Sequence, residues 1–171
     1  MLTLLTTFWR SPRWQLASIG LVGCALVAGG VVLATTMNLA ACPLCILQRM
    51  LYLLLGIEAL LLLVTASRHR LLALLMTVTA GTGAFIAGYQ TWLQRFAKGI
   101  SCGGGQPWWE QFVDWAGKQV PLLFEASGLC SEAGWVFLGL SIAEWSLLFF
   151  TAMTLLALRA LLMTVAGPQR D

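Results

Sequence analysis

The sequence predicts an all-α membrane protein, a four-transmembrane-helix bundle with a long loop that carries a short amphipathic interfacial helix. The 171 residues are 59% hydrophobic and only 10% charged, whereas soluble domains are roughly half apolar and about a quarter charged. Four apolar stretches are long enough to cross a bilayer, which takes ~20 residues as a helix. One long polar region, between the third and fourth stretches, supplies the loop.

The expected spans cover residues 15–36, 46–66, 71–92 and 142–163, with outward loops at about 37–45 and 93–141. Together they make one membrane domain of residues 1–171. Leu39-Ala40-Ala41-Cys42 resembles a lipoprotein processing site, with Arg10 and Arg13 upstream. However, the apolar run before it exceeds the ~7–15 residues of a signal peptide. We therefore expect the first span to remain in the protein.

The distribution of basic residues predicts the orientation. Four crossings place both termini on one side, and that side carries most of the arginines: Arg10, Arg13, Arg68, Arg70, Arg159 and Arg170. The long loop holds most of the acidic residues. By the positive-inside rule the termini are cytoplasmic and the two loops face outward. The net charge of +3 follows from this topology and does not indicate nucleic-acid binding.

Four of the five cysteines fall on the outward side, where disulfides persist. These are Cys42, Cys45, Cys102 and Cys130. The fifth, Cys24, lies in the middle of the first span among glycines and alanines, and is expected to be a small residue in a helix contact. Two outward loops therefore each present a pair of cysteines, which is a more specific pattern than one C-x-x-C motif.

The first pair lies in Cys42-Pro43-Leu44-Cys45, at the start of the second span. A helix N-terminus favours a thiolate, and so indicates a reactive Cys45. Arg49 lies one turn further on the same face, where it could stabilise that thiolate or the oxygen of a bound acceptor. Alternatively, Arg49 anchors to lipid phosphate. A purely structural disulfide would close so short a loop that it would stabilise little.

The second pair, Cys102 and Cys130, lies in the long loop, and glycines 103–105 predict flexibility beside Cys102. Flexibility suits a cysteine that a partner must reach, although a disulfide that only staples the loop remains an alternative. Between the cysteines, "QPWWEQFVDWAGK" predicts an amphipathic helix at the lipid headgroups. Its expected apolar face comprises Trp108, Trp109, Phe112, Val113 and Ala116, and its polar face Glu110, Gln111, Asp114 and Lys118.

Elimination narrows the chemistry of these cysteines. The single histidine, His69, is expected on the cytoplasmic side, which removes Cys–His nucleophilic catalysis. A zinc site is a weaker alternative, because only one half of the cysteine set has paired spacing. Thiol–disulfide exchange remains. A soluble protein dithiol would reduce Cys102 and Cys130, which we call the outer pair. The outer pair would then reduce Cys42 and Cys45, the inner pair. A membrane quinone would accept the electrons near Cys45 and Arg49.

The chain resembles the bacterial inner-membrane disulfide bond formation protein B (DsbB) family across nearly its full length. The resemblance is carried by Cys42-Pro43-Leu44-Cys45 followed by Arg49, and by the Cys102 and Cys130 pair. "ASGLC", which ends at Cys130, and "WVFLGLSIAEW", which leads into the last span, also resemble the family.

The resemblance implies a four-helix bundle that binds ubiquinone, or menaquinone under anaerobic conditions, and reoxidises a periplasmic thioredoxin-fold protein of the DsbA type. Cys102 would form the mixed disulfide with that partner, and Cys130 would be its mate. Cys45 would interact with the quinone, with Cys42 as its partner cysteine, and Arg49 would assist there. The resemblance implies the bacterial inner membrane, with cytoplasmic termini.

Three questions stay open at this level. A non-catalytic membrane binding or assembly subunit could use the same cysteines as structural disulfides, and a relay running in the reducing direction would need the same residues. Glu58, in the middle of the second span, is either a proton route to the quinone or the partner of a polar group on a neighbouring helix.

Overall fold

A computed structural model describes residue 9 and residues 11–65, 69–96 and 107–166. The elements along these residues are α1 (Pro12–Met37), α2 (Pro43–Val64), α3 (His69–Phe96), α4 (Trp108–Gln119), α5 (Pro121–Phe124), β1 (Val136–Phe137), β2 (Leu140–Ser141) and α6 (Ile142–Ala166). Helices α1, α2, α3 and α6 are long and apolar enough to cross a membrane. The predicted fold class, a four-transmembrane-helix protein with an additional amphipathic helix, is confirmed. Cys102 and glycines 103–105 lie outside the described residues.

The connection between α1 and α2 places the first cysteine pair at a helix start. Helix α1 ends where Asn38 takes a left-handed conformation, with φ of 50°, and its N–H bonds the carbonyl of Ala34. Helix α2 begins at Pro43, a residue that suits the first helical position because it needs no N–H partner there. Cys42 is the N-cap residue, and its Sγ accepts the N–H of Cys45 at 3.4 Å. The two cysteines therefore bracket the first turn of α2.

Small residues allow the spanning helices to approach closely. A side chain at Gly83 of α3 would overlap the ring of Phe150 in α6, and one at Gly20 of α1 would overlap Ala59 in α2. The sulfur of Cys24 packs over Gly56, as expected for a small residue in a helix contact. Close backbone approach replaces the hydrophobic driving force that is absent between helices in lipid. Close packing at small residues thus holds the spanning helices together. Many large apolar side chains of these helices are exposed on the outer surface of the bundle.

The apolar face of the amphipathic helix α4 is partly buried against protein and partly exposed, whereas the sequence pattern predicted one face directed at the membrane. Val113 and Ala116 are buried, and α4 packs against α2 and α5. In contrast, Trp108, Phe112 and Trp115 are exposed, Trp108 by 79%. The predicted single membrane face is therefore wrong in detail, because part of it packs against protein. The exposed aromatic side chains remain available to lipid headgroups.

A two-stranded hairpin, which was not among the predicted elements, precedes α6. Phe137 pairs with Leu140 across a turn in which Leu138 and Gly139 both have positive φ, 52° and 79°. Strands of two residues are too short to produce an alternating pattern. The Nε1 of Trp145 donates to the carbonyl of Phe137 at 3.1 Å, so the hairpin is fixed to the start of α6.

Candidate functional site

The segment before Cys130 is fixed to the loop that carries Cys42. The N–H groups of Ser127 and Gly128 both donate to the carbonyl oxygen of Ala41, at 2.9 and 3.0 Å. Gly128 lies so close to the backbone of Ala40 that a Cβ would come within 2.5 Å of its carbonyl oxygen. A glycine is therefore required for this approach. The backbone contact brings Cys130, which is 88 positions from Cys42 in sequence, beside the start of α2.

Three sulfurs consequently form one cluster. The Sγ of Cys42 donates to the Sγ of Cys45 at 2.9 Å. The side chain of Cys42 also interacts with that of Cys130, whose thiol lies near the backbone N–H of Leu44. All three cysteines are free thiols in this structure, and Cys42, the central one, is buried. The order Cys130, Cys42, Cys45 is a continuous path for thiol–disulfide exchange.

The two described cysteines outside the spanning helices differ in acidity. The interaction with Cys42 lowers the pKa of Cys130, against the opposing effect of burial, and the backbone N–H of Leu44 lowers it further. The interactions of Cys42 with Cys130 and Cys45, together with its burial, raise the pKa of Cys42. Of these two thiols, Cys130 therefore forms the thiolate more readily.

Two buried glutamines complete the surroundings of the inner pair. Gln90 of α3 is 1% exposed and Gln48 of α2 is 4% exposed. The Nε2 of Gln90 donates to Cys45 Sγ at 3.0 Å and to Cys42 Sγ at 3.2 Å. The Nε2 of Gln48 donates to the Oε1 of Gln90 at 2.7 Å. Neither glutamine is among the site residues that the sequence pattern indicated. The available signal was polarity inside an expected span, on the same side of the membrane as the cysteines.

Arg49 lies beside this cluster and faces protein. Its Nη1 donates to the carbonyl oxygen of Leu123 in α5 at 3.1 Å, and its side chain lines the same cavity as Cys45. In this position the guanidinium keeps donor groups for a ligand as well as for Leu123. The contact differs from that of a lipid anchor, since a lipid anchor would direct the charge away from the bundle.

A cavity of about 140 Å³ opens beside these groups. Its polar lining includes Cys45, Gln48, Arg49, Tyr52 and Gln90, and its remaining walls are mostly apolar residues of α1, of the 129–135 segment and of the start of α6. An open apolar groove of about 400 Å³ between α1 and α6 shares part of this lining, including Leu26 and Trp135. A largely apolar cavity with a few convergent polar groups is the usual form of a small-molecule site.

Glu58 does not belong to this site. It is 6% exposed, and its Oε1 accepts the hydroxyl of Thr79 in α3 at 2.9 Å. Its Oε2 has no hydrogen-bond partner among the described residues. Of the two hypotheses for Glu58, this contact agrees with pairing to a polar group on a neighbouring helix.

The structure therefore brings together Cys42, Cys45, Cys130 and Arg49 from the set that the sequence indicated. A helical membrane protein whose loop cysteines meet beside an apolar cavity belongs, by fold and site, to the class of membrane thiol–disulfide oxidoreductases. The family model "Disulfide bond formation protein DsbB" matches residues 12–160. The chain belongs to the DsbB family, as the resemblance in its sequence indicated.

Curated relatives carry the same description over most of their length. "Disulfide bond formation protein B" of Dechloromonas aromatica (strain RCB) is 41% identical over 146 residues, which are 82% of this chain and 87% of the relative. The protein of that name from Polaromonas sp. (strain JS666 / ATCC BAA-500) is 37% identical, covering 90% of this chain and 93% of the relative. In Verminephrobacter eiseniae (strain EF01-2) the identity is 36%, with 94% and 92% covered. Family and fold together define a multi-pass membrane oxidoreductase of disulfide bond formation.

Proposed function

We propose that this chain is a quinone-coupled oxidase, a single membrane domain that regenerates the disulfide of a periplasmic DsbA-like thioredoxin-fold protein. It would lie in the bacterial inner membrane with both termini in the cytoplasm and pass electrons to ubiquinone or menaquinone. The observation that carries the proposal is the contact sequence Cys130, Cys42, Cys45, which ends at the cavity lined by Arg49. Cysteines that only braced the loops would need no such path.

The first exchange takes place between the partner protein and the outer pair. The partner's thiolate attacks Cys102 in a Cys102–Cys130 disulfide, a bond forms between the partner and Cys102, and the electron pair leaves on Cys130. The second thiol of the partner then displaces Cys102 and releases the partner in its oxidised form. The outer pair keeps the two electrons.

The second exchange moves those electrons to the inner pair. The thiolate of Cys130 attacks Cys42 in a Cys42–Cys45 disulfide, so that a Cys130–Cys42 bond forms and the electron pair leaves on Cys45. The backbone N–H of Leu44 lowers the pKa of Cys130. This group does not depend on a free Cys42 thiol, so it would still favour the attacking thiolate while Cys42 is in the disulfide. Cys102 then displaces Cys42 from Cys130, which restores the outer disulfide and leaves the inner pair reduced.

The cavity fits an apolar ring with polar substituents. Arg49 and Gln48 are the donors that would hold the oxygens of such a ring, and the groove between α1 and α6 would hold an apolar tail. A quinone bound there supplies an acceptor for two electrons and two protons. Cys42 and Cys45 both line the cavity, but Cys42 is buried whereas Cys45 is partly exposed. Cys45 is also one helical turn from Arg49 on the same face, so Cys45 would be the sulfur that delivers the electrons.

The test is quinone reduction by purified protein in detergent, with a reduced thioredoxin-fold dithiol as donor. The wild-type protein is expected to form one quinol per dithiol oxidised, and Cys45→Ser is expected to reduce the rate to background, because the terminal sulfur is lost. Cys24→Ser is the matched control and should keep the wild-type rate, since that sulfur only packs over Gly56. A wild-type rate in Cys45→Ser would contradict the proposal.

Thiol trapping separates the oxidase from an assembly subunit. If Cys102 is the residue that meets the partner, Cys130→Ser is expected to accumulate a mixed disulfide between Cys102 and the partner's cysteine. A subunit with purely structural disulfides would accumulate none.

A further inference from the structure

We propose that Gln90 is a positioning residue that shares its amide N–H groups between the sulfurs of the inner pair and so stabilises the anionic sulfur released when that pair is reduced. Gln48 sets the direction of this amide. The proposal rests on the proposed function, because it assigns a role within the inner exchange. It adds a contribution from α3 to a pair of cysteines that belongs to the start of α2.

With the Nε2 of Gln48 directed at Gln90, one orientation of the Gln90 amide satisfies every contact. Gln48 presents its Nε2 to Gln90 at 2.7 Å, and an amide nitrogen can only donate, so the atom of Gln90 that receives this bond is the oxygen. The nitrogen of Gln90 must therefore point the other way, to Cys45 Sγ at 3.0 Å and Cys42 Sγ at 3.2 Å. Each of its two hydrogens has a sulfur acceptor. Both glutamines are buried, so water does not compete strongly for these bonds.

The electron count explains why such a donor is useful. When Cys130 attacks Cys42, the Cys42–Cys45 bond breaks and its electron pair stays on Cys45 Sγ, while the new bond joins Cys130 to Cys42. A negative charge thus appears at a half-buried sulfur beside the membrane, where it is costly unless it is compensated. An amide N–H stabilises the anion without transferring a proton, so the sulfur remains nucleophilic. The second N–H donates to Cys42 and so keeps the attacked sulfur in position.

The charged and titratable groups around Cys45 are few among the described residues. Cys42 donates to its sulfur, Arg49 acts on it through charge from the next turn of α2, and Cys130 lies on the far side of Cys42. Gln90 is the contribution from the facing helix. An effect of Gln90 on Cys45 can therefore be measured cleanly once Cys42 and Cys130 are replaced.

The experiment measures alkylation of Cys45 by iodoacetamide between pH 5 and 10. Purified protein carrying Cys42→Ser, Cys102→Ser and Cys130→Ser is used, and the Cys45 peptide is quantified by mass spectrometry. Adding Gln90→Leu should slow alkylation at neutral pH about tenfold and move the profile upward by about one pH unit, as loss of a hydrogen bond to a charged group predicts. The rate plateau at high pH should be equal or higher, because a more basic thiolate is more nucleophilic.

Two further variants separate donation from packing. Gln90→Glu keeps the shape but replaces the donor with an acceptor, so its profile should move at least as far as that of Gln90→Leu. Gln48→Glu should turn the amide of Gln90 around and move the profile in the same direction. Gln15→Leu removes a buried amide whose Nε2 bonds the carbonyl of Trp9 in the cytoplasmic half of α1, and it should leave the profile unchanged.

An unchanged profile in both Gln90 variants would overturn the proposal. So would a lower plateau without a pH shift, or an equal shift in Gln15→Leu, since either would indicate a general loss of packing. The measurement needs neither quinone nor partner protein. Failure of quinone reduction and failure of the Gln90 role are therefore distinguishable.

Discussion

Two groups of buried polar side chains, at different depths of the bundle, differ in what they face. At the end of the bundle that carries the loop cysteines, Gln48 donates to Gln90, and Gln90 donates to the sulfurs of Cys42 and Cys45 beside a cavity. In the middle of α2, Glu58 accepts a hydrogen bond from the hydroxyl of Thr79 and has no second side-chain partner among the residues that the structure describes. Burial of polar groups in a membrane protein is costly in both places. The difference teaches that buried polarity indicates chemistry here only where it converges on reactive atoms next to an open volume.

Replacement of Arg49, which lines the same cavity as Gln48 and Gln90, tests the group beside the cysteines. It should have the larger effect on quinone reduction. Arg49→Met is expected to lower kcat/KM for quinone about tenfold or more, because a charged hydrogen-bond donor beside the cavity is lost. Arg49→Lys should fall between, since it keeps the charge without the planar fork. The rates are measured with saturating protein dithiol and varied quinone.

Arg70→Met is the matched control for this measurement. Arg70 also bonds a backbone carbonyl, that of Thr164 at 3.1 Å, but at the other end of the bundle. Equal losses in the Arg49 and Arg70 variants would show that the effect of Arg49 comes from helix anchoring rather than from the cavity.

Replacement of Glu58 tests the buried polar group in the middle of α2 and should have the smaller effect on turnover. Glu58→Gln keeps an acceptor for Thr79 and should leave quinone reduction within about twofold of wild type. Glu58→Leu leaves the hydroxyl of Thr79 without this partner, at a cost of about 1–3 kcal/mol, and should lower Tm by several degrees. Loss of turnover in Glu58→Gln at an unchanged Tm would instead support the proton-route hypothesis and remove the contrast between the two groups.

The spanning helices could be predicted because lipid imposes a simple rule on composition and length. The Cys42, Cys45 and Arg49 set could be predicted for a related reason, since residues three and four apart on one helix are neighbours. Gln90 could not, because its contact with Cys45 depends on the rotation and depth of α3 relative to α2. The approach of Cys130 to Cys42 depends on a backbone contact of Gly128, which carries no periodic signal.

The short hairpin and the protein contacts of α4 could not be predicted either, because neither leaves a distinct pattern in the sequence. Val113 and Ala116 fit the apolar stripe of an interfacial helix equally well whether they meet lipid or protein. Amphipathic spacing gives the direction of an apolar face but not the identity of what covers it. Trp108, Phe112 and Trp115 of the same helix are exposed, as aromatic side chains at a membrane–water interface would be.

The most direct test of the central claim is disulfide trapping between Cys42 and Cys130. In a Cys45→Ser, Cys102→Ser variant, a mild oxidant should join Cys42 and Cys130 within one molecule, as measured by mass spectrometry of non-reduced peptides. Bond formation should persist as pH falls below the ordinary thiol range, because the pKa of Cys130 is lowered. Gly128→Ala should slow it about fivefold or more, and Gly29→Ala, which has open space, should not. Absence of the Cys42–Cys130 bond, with both thiols remaining reactive, would contradict the account.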